Sequence, residues 1–146
     1  MSSPLDPSAT SGAPAAAPSG KRGGLLVRID GRPHFLPAQA AVAIDPIPPI
    51  VRVPGAPPQM LGIATHEGEV LPVITIGDAP TVMVVCRYGG ELLGLVGLNV
   101  VGAGIFESAP GPGDSVSFLG EIAEDIDLSE IYTALQGGAW AGRWGG

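Results

Sequence analysis

A single cysteine, Cys86, occurs among the 146 residues, so no internal disulfide framework is possible. The cytoplasm is therefore the default compartment. Charged residues are scarce at 14 %, and the basic ones scarcer still: seven Lys and Arg stand against fourteen Asp and Glu. A net charge of −7 argues against binding nucleic acid or an anionic membrane surface. No stretch reaches eighteen consecutive apolar residues, so no membrane insertion is expected. His66 has no second His and no Cys at ligand spacing, which argues against a metal site at His66-Glu67-Gly68-Glu69. That segment reads instead as a turn with solvated charges. Cys86 sits in a β-branched run with no histidine partner, and is expected to be a small buried hydrophobe rather than a nucleophile. Neither Gly94-Leu95-Val96-Gly97 nor Gly102-Ala103-Gly104 is followed by Lys-Ser/Thr, so no phosphate loop is present. No catalytic residue, cofactor or metal is expected.

Glycine (23) and proline (16) are abundant, and the apolar fraction is 45 %. This composition suits short strands joined by many turns. The length fits one domain with a real core. Residues 1–23, rich in Ala, Pro and Ser, read as a disordered leader that cannot bury enough apolar surface to offset its ordering entropy. They lack the basic start and apolar run of a signal peptide. The folded unit is expected over 24–136, and residues 137–146 as a flexible tail carrying Trp140 and Trp144. Those tryptophans could be a docking anchor or idle cargo.

Leu25, Val27 and Ile29 alternate onto one face of a strand, followed by an Asp30-Gly31 hairpin turn and a return strand through Phe35 and Leu36. Ala38 to Ile44 is either a helical turn or a strand. Ile50 to Val53 has strand character. Met60–Ala64 and Glu69–Ile76 form a central hairpin around Glu67-Gly68, with Pro72 expected at an edge or bulge. Thr81–Arg87 and Leu92–Val96 read as buried strands, Leu98–Ile105 continues the β pattern, and Ser115–Leu119 adds another strand. Asp127 is the expected N-cap of a helix through Leu135, with Leu128, Ile131 and Leu135 on one face and Gly137-Gly138 after its end. The fold class is all-β. The strand–turn–strand pattern at 25–36 is echoed at 81–96, which suggests two barrels. Val42, Ile44, Ile47, Ile50, Leu61 and Ile63 are either core or a partner groove; Ile47 and Ile50, set among prolines, are the ones expected to be exposed.

Several of these segments resemble the CheW-like coupling domain of bacterial chemotaxis. Val53-Pro54-Gly55-Ala56-Pro57 is the clearest match, followed by Gly62, Gly68 and Pro72-Val73 of the central hairpin. Leu26–Ile29 with Phe35-Leu36-Pro37, Gly94–Gly102, and Ile126–Leu135 are similar to the opening hairpin, the second-barrel strands and the closing helix. The resemblance, spanning about residues 25–135, implies two five-stranded SH3-like barrels on a shared hydrophobic seam, plus one short C-terminal helix. It also implies a non-enzymatic adaptor at receptor clusters, with two partners: the signalling domain of a methyl-accepting chemoreceptor and the regulatory domain of a CheA-type histidine kinase. The partner-binding residues it suggests are Val42, Ile44, Ile47, Ile50, Gly62, Thr65, His66, Glu67 and Gly68.

This chain departs from the family pattern Asn-Leu-Arg-Gly, which here is Thr65-His66-Glu67-Gly68, a charge reversal at the tip. Where the family has a Glu after Val42, this chain has Ile44, with Asp45 at a shifted place; Thr75 and Leu98 also replace Asp. These departures favour a divergent coupling protein, or one that organises receptors without the kinase. A small β-barrel ligand-binding protein or enzyme, and a self-associating structural subunit, are the alternatives from other classes.

Overall fold

The computed structural model describes residues 20–78 and 82–135. Most of the expected leader, Thr81, Gly137-Gly138 and the Trp140–Trp144 tail lie outside the described residues. Among the described residues ten strands and a helix follow one another: β1 (Lys21–Ile29), β2 (Arg32–Pro37), β3 (Ala41–Pro46), β4 (Met60–His66), β5 (Glu69–Thr75), β6 (Val82–Tyr88), β7 (Glu91–Val96), β8 (Asn99–Glu107), β9 (Val116–Phe118), β10 (Glu121–Asp125) and α1 (Leu128–Leu135).

The strands form two five-stranded sheets, ordered β8-β1-β2-β10-β9 and β3-β6-β7-β5-β4. Each is built the same way. A central antiparallel hairpin (β1–β2 or β6–β7) carries an antiparallel edge strand on one side (β8 or β3) and a parallel neighbour on the other (β10 or β5). Isolated bridges at Ser108–Val116 and Val51–Ile63 help to curl each sheet toward closure. The echo between 25–36 and 81–96 is thus a structural equivalence.

The barrels are filled by opposite faces of the same strands that make the seam. Leu26 and Phe35 point into the first barrel with Val116 and Ala123, and Phe106 and Phe118 pack on them. The rings of Phe35 and Phe118 each meet Phe106 edge-on, at 6.0 and 6.3 Å, a favoured arrangement. Leu71, Val73, Met83, Val85, Leu92 and Val96 fill the second barrel. The alternate residues face the other way: Leu25, Val27 and Leu36 meet Val84, Cys86, Leu93 and Leu95 between the barrels. Both faces of β6 and β7 are therefore buried, which is why these strands read as unbroken apolar runs. Leu98 belongs to this seam and is fully buried, a place where an Asp would be costly. Burial pushes the Cys86 thiol up to about 12, so it is no nucleophile at neutral pH.

Leu128 and Leu135 of α1 cap the seam, with Ile131 packed beside them. Asp127 is the N-cap: its Oδ1 accepts from the Glu130 amide (3.0 Å) and the Ser129 hydroxyl (2.7 Å), and these bonds, the Ser129 one foremost, hold its carboxyl below its ordinary range.

Three expectations change, and one strand is found where none was expected. Strand β1 starts at Lys21, earlier than the expected boundary, because Lys21–Gly23 pair with Ile105–Glu107 of β8. Residues 50–53 form only the Val51–Ile63 bridge. Strand β10 has no clear alternation in sequence; its pairing with β9 and β2 defines it. Pro72 lies in β5, which sits between β7 and β4 and not at an edge. Its missing N–H costs nothing there. The Ile63 amide and carbonyl both bond to Val51, so the Ile63–Pro72 pair is a non-bonded one, and pairing with β7 begins at Val73.

Leu95 lies at the centre of the seam, so Leu95→Ala is expected to destabilise the whole domain by about 3 kcal/mol. Urea unfolding should show both barrels melting in one transition at lower midpoint. Two separated transitions would mean that the barrels do not depend on the seam.

Candidate functional site

Stacking the barrels on the seam sets strands β3 and β8 on either side of an open groove of about 620 Å³. Gly23, Gly24 and Leu25 of β1, Ala38, residues 41–44 of β3 and residues 103–105 of β8 line it. None of these side chains carries a charge. The floor is made of glycine and alanine, while Val42, Ile44 and Ile105 stand up from it. Ile105 is 73 % exposed, the most exposed large apolar side chain of the groove. Gly24 is fixed by packing: a Cβ there would strike the Leu36 carbonyl and come within 2.6 Å of the Phe35 ring. The first barrel's core thus presses on the groove floor from beneath.

Both strands flanking the groove are bulged. Val42 is the extra residue between Ala41–Cys86 and Ala43–Val85, and Val101 the extra residue between Val27–Val100 and Leu26–Gly102. Bulges re-aim side chains, and here they turn apolar residues outward at an unpaired edge.

The residue after Ile44 on β3 is Asp45, outside the groove lining and held from across the barrel. His66 Nδ1 lies 2.7 Å from Asp45 Oδ2, joining β3 to β4, the two outer strands of the second sheet. A carboxylate only accepts, so the histidine proton sits on Nδ1. The His66 side chain is 10 % exposed and that of Asp45 33 %. His66 is therefore not the solvated turn residue that its sequence context suggests; it clasps the sheet shut. Glu67, with its side chain 84 % exposed, is the solvated one, its Oε2 3.9 Å from His66 Nε2. Glu67 and Gly68 both have positive φ, 51° and 83°, as a two-residue type I′ hairpin requires.

The remaining residues suggested by sequence are spread around this groove. Ile47 is exposed just past β3. Ile50 is not an exposed anchor; it packs against the second barrel's core. Gly62 lies under the Val51 carbonyl, where a Cβ would collide, so its role is to let the 47–59 segment close over β4. Thr65 is exposed on β4. Of the suggested residues only Val42 and Ile44 line the groove. Ile105, Ala103 and the Gly23-Gly24 pair were missed; the signal was the clustering of small residues in three separate segments.

Elsewhere, Asp114 and Asp125 are committed to structure. Arg22 pairs with Asp114 at 3.1 Å, and Asp125, its carboxyl pushed up by burial, accepts the Asp114 amide at 2.9 Å. Among the described residues no group of three or more His, Cys, Asp or Glu could hold a metal ion, and no helix is long and apolar enough to cross a membrane.

The model for the CheW-like domain matches residues 23–103, more than half the chain. The chain belongs to the CheW-like domain family. Its fold is similar to that of a solved structure, the scaffolding protein TtCheW from Thermoanaerobacter tengcongensis, with a TM-score of 0.62, 16 % identity, and coverage of 75 % of this chain and 90 % of that one. A search of curated proteins found no match. The matched span of the family model stops within β8, but β9, β10 and α1 complete the CheW-like fold by closing the first barrel and capping the seam. The His66–Asp45 bond joins the residues next to Glu67 and Ile44, two positions at which this CheW-like domain departs from the family pattern.

Replacing His66 with Ala should leave Asp45 without its partner and cost about 1–2 kcal/mol. Hydrogen exchange at the amides of 43–45 is expected to speed up more than that of the β1–β2 hairpin. Equal protection in wild type and variant would show that the clasp does not hold β3.

Proposed function

We propose that this CheW-like domain is a non-enzymatic adaptor that seats a helix of a chemoreceptor signalling domain in the groove between its barrels and couples it to a CheA-type histidine kinase. A chemotaxis scaffold role goes with membership of the family. The groove supports the receptor half of this reading: it is uncharged, open along its length, and floored by residues small enough for a helix backbone to approach. An amphipathic helix laid in such a groove buries its apolar stripe against Val42, Ile44 and Ile105. The buried, high-pKa Cys86 supports the non-enzymatic part. Receptor clusters are then where the protein works.

Glu67 favours a second reading. At the hairpin tip it cannot donate the bidentate hydrogen bonds an Arg would. A protein that organises receptors without engaging the kinase would tolerate that change.

Co-sedimentation with purified receptor signalling tips and with the kinase regulatory domain separates these readings. Wild type should bind both partners if it is a coupler, and receptor alone if it is an organiser. Ile44→Ser, an exposed position, should weaken receptor binding about tenfold while leaving the melting temperature nearly unchanged. No binding to either partner would overturn both readings.

A further inference from the structure

We propose that the β4–β5 hairpin tip makes this groove selective for a helix with Lys or Arg beside its apolar stripe. The inference rests on the groove being a helix seat and goes beyond it by naming the charge of the occupant.

Three observations carry it. First, the groove lining itself holds no charge, so it can choose a helix by shape and apolar area but not by electrostatics. Second, charge begins with the residue of β3 that follows Ile44, and there it is of one sign. The 2.7 Å His66–Asp45 bond fixes the root of the β4–β5 hairpin against the end of β3, which brings Glu67 and Glu69 to the same side as Asp45. Among the described residues no Lys or Arg lies within ion-pair distance of these three carboxylates; the sole nitrogen partners are those of His66. Third, neither the turn nor the core calls for a glutamate at position 67. The first central position of a type I′ turn prefers Asn, Asp or Gly, yet Glu67 adopts φ 51° there and sends its side chain into solvent. A residue that breaks the local preference and reaches only the edge of the His66 ring, 3.9 Å away, is a candidate for contact with a partner.

A cation on the occupant would meet carboxylates that no Lys or Arg neutralises, whereas an acidic helix would be repelled. Because the tip is exposed, the effect should weaken as salt screens it.

The test uses the full chain and two fluorescein-labelled helical hairpin probes with the same Leu/Val stripe, one flanked by Lys and one by Glu. Anisotropy titrations at low and high salt give their affinities. Wild type should bind the Lys probe about tenfold more tightly at low salt, the equivalent of 1.4 kcal/mol. Glu67→Arg should reverse the order and Glu67→Gln should narrow it; the second variant guards against misfolding of the first. Glu121→Arg makes the same change in net charge on β10, outside the groove, and should leave the preference in place. Equal affinities for the two probes, with Ile44→Ser weakening both, would overturn the charge selection and leave the groove reading standing. A preference that Glu121→Arg shifts as much as Glu67→Arg would also overturn it, since net charge would then be the cause. Failure of both probes to bind, or binding insensitive to Ile44→Ser, would overturn the helix seat and the selection together.

Discussion

Everything in this molecule depends on one apolar seam with a barrel on each side. Leu25, Val27 and Leu36 come from one hairpin; Val84, Cys86, Leu93 and Leu95 come from its counterpart. Because the intervening residues of these strands fill the two barrel interiors, a one-residue slip in β1, β6 or β7 would exchange core for seam. The chain also crosses between the units: β1 and β2 belong with β8 to β10, and β3 to β7 form the other barrel between them. Helix α1, reached last, closes the seam with Leu128 and Leu135.

The groove is a geometric consequence of this arrangement. Pairing the two central hairpins leaves the equivalent edge strands, β3 and β8, flanking one open channel. An exposed apolar edge invites aggregation unless it is short, bulged or covered. Both strands are bulged, and β3 is tied at its far end by the Asp45–His66 bond. A surface of this kind is kept by a protein whose work is to hold another chain. A second apolar point, Leu119 at the β9–β10 turn, is 79 % exposed at φ 50°, but it stands at a hairpin tip, and the hollow beside it is lined by charged residues, Arg32, Glu121 and Glu124.

The architecture was legible because burial on two faces leaves a mark in sequence. Met83–Cys86 and Leu92–Val96 are unbroken apolar runs, the two-residue turns at Asp30-Gly31, Glu67-Gly68 and Gly89-Gly90 are marked by glycine, and the Asp127 cap announces α1. Strand β10 was not legible, since Glu121-Ile122-Ala123-Glu124-Asp125 buries only Ala123 and owes its conformation to its neighbours. At the candidate site, Val42 and Ile44 came from the resemblance to the CheW-like pattern, since 38–44 alone is too short to separate a strand from a helical turn. Ile105 and the Gly23-Gly24 floor could not be read, because small residues become a groove only when distant strands meet. His66 was misread for the same reason: its partner Asp45 is 21 residues away, and proximity in sequence pointed to the turn instead.

The central claim is that the channel between the barrels is where a partner helix sits. Its most direct test is a methyl and amide NMR titration of the full chain with a purified receptor signalling tip. The account predicts that the largest shifts fall on Leu25, Val42, Ile44 and Ile105, with Leu119 and Ile122 unmoved. Shifts concentrated at the β9–β10 tip, with the groove residues unchanged, would contradict it.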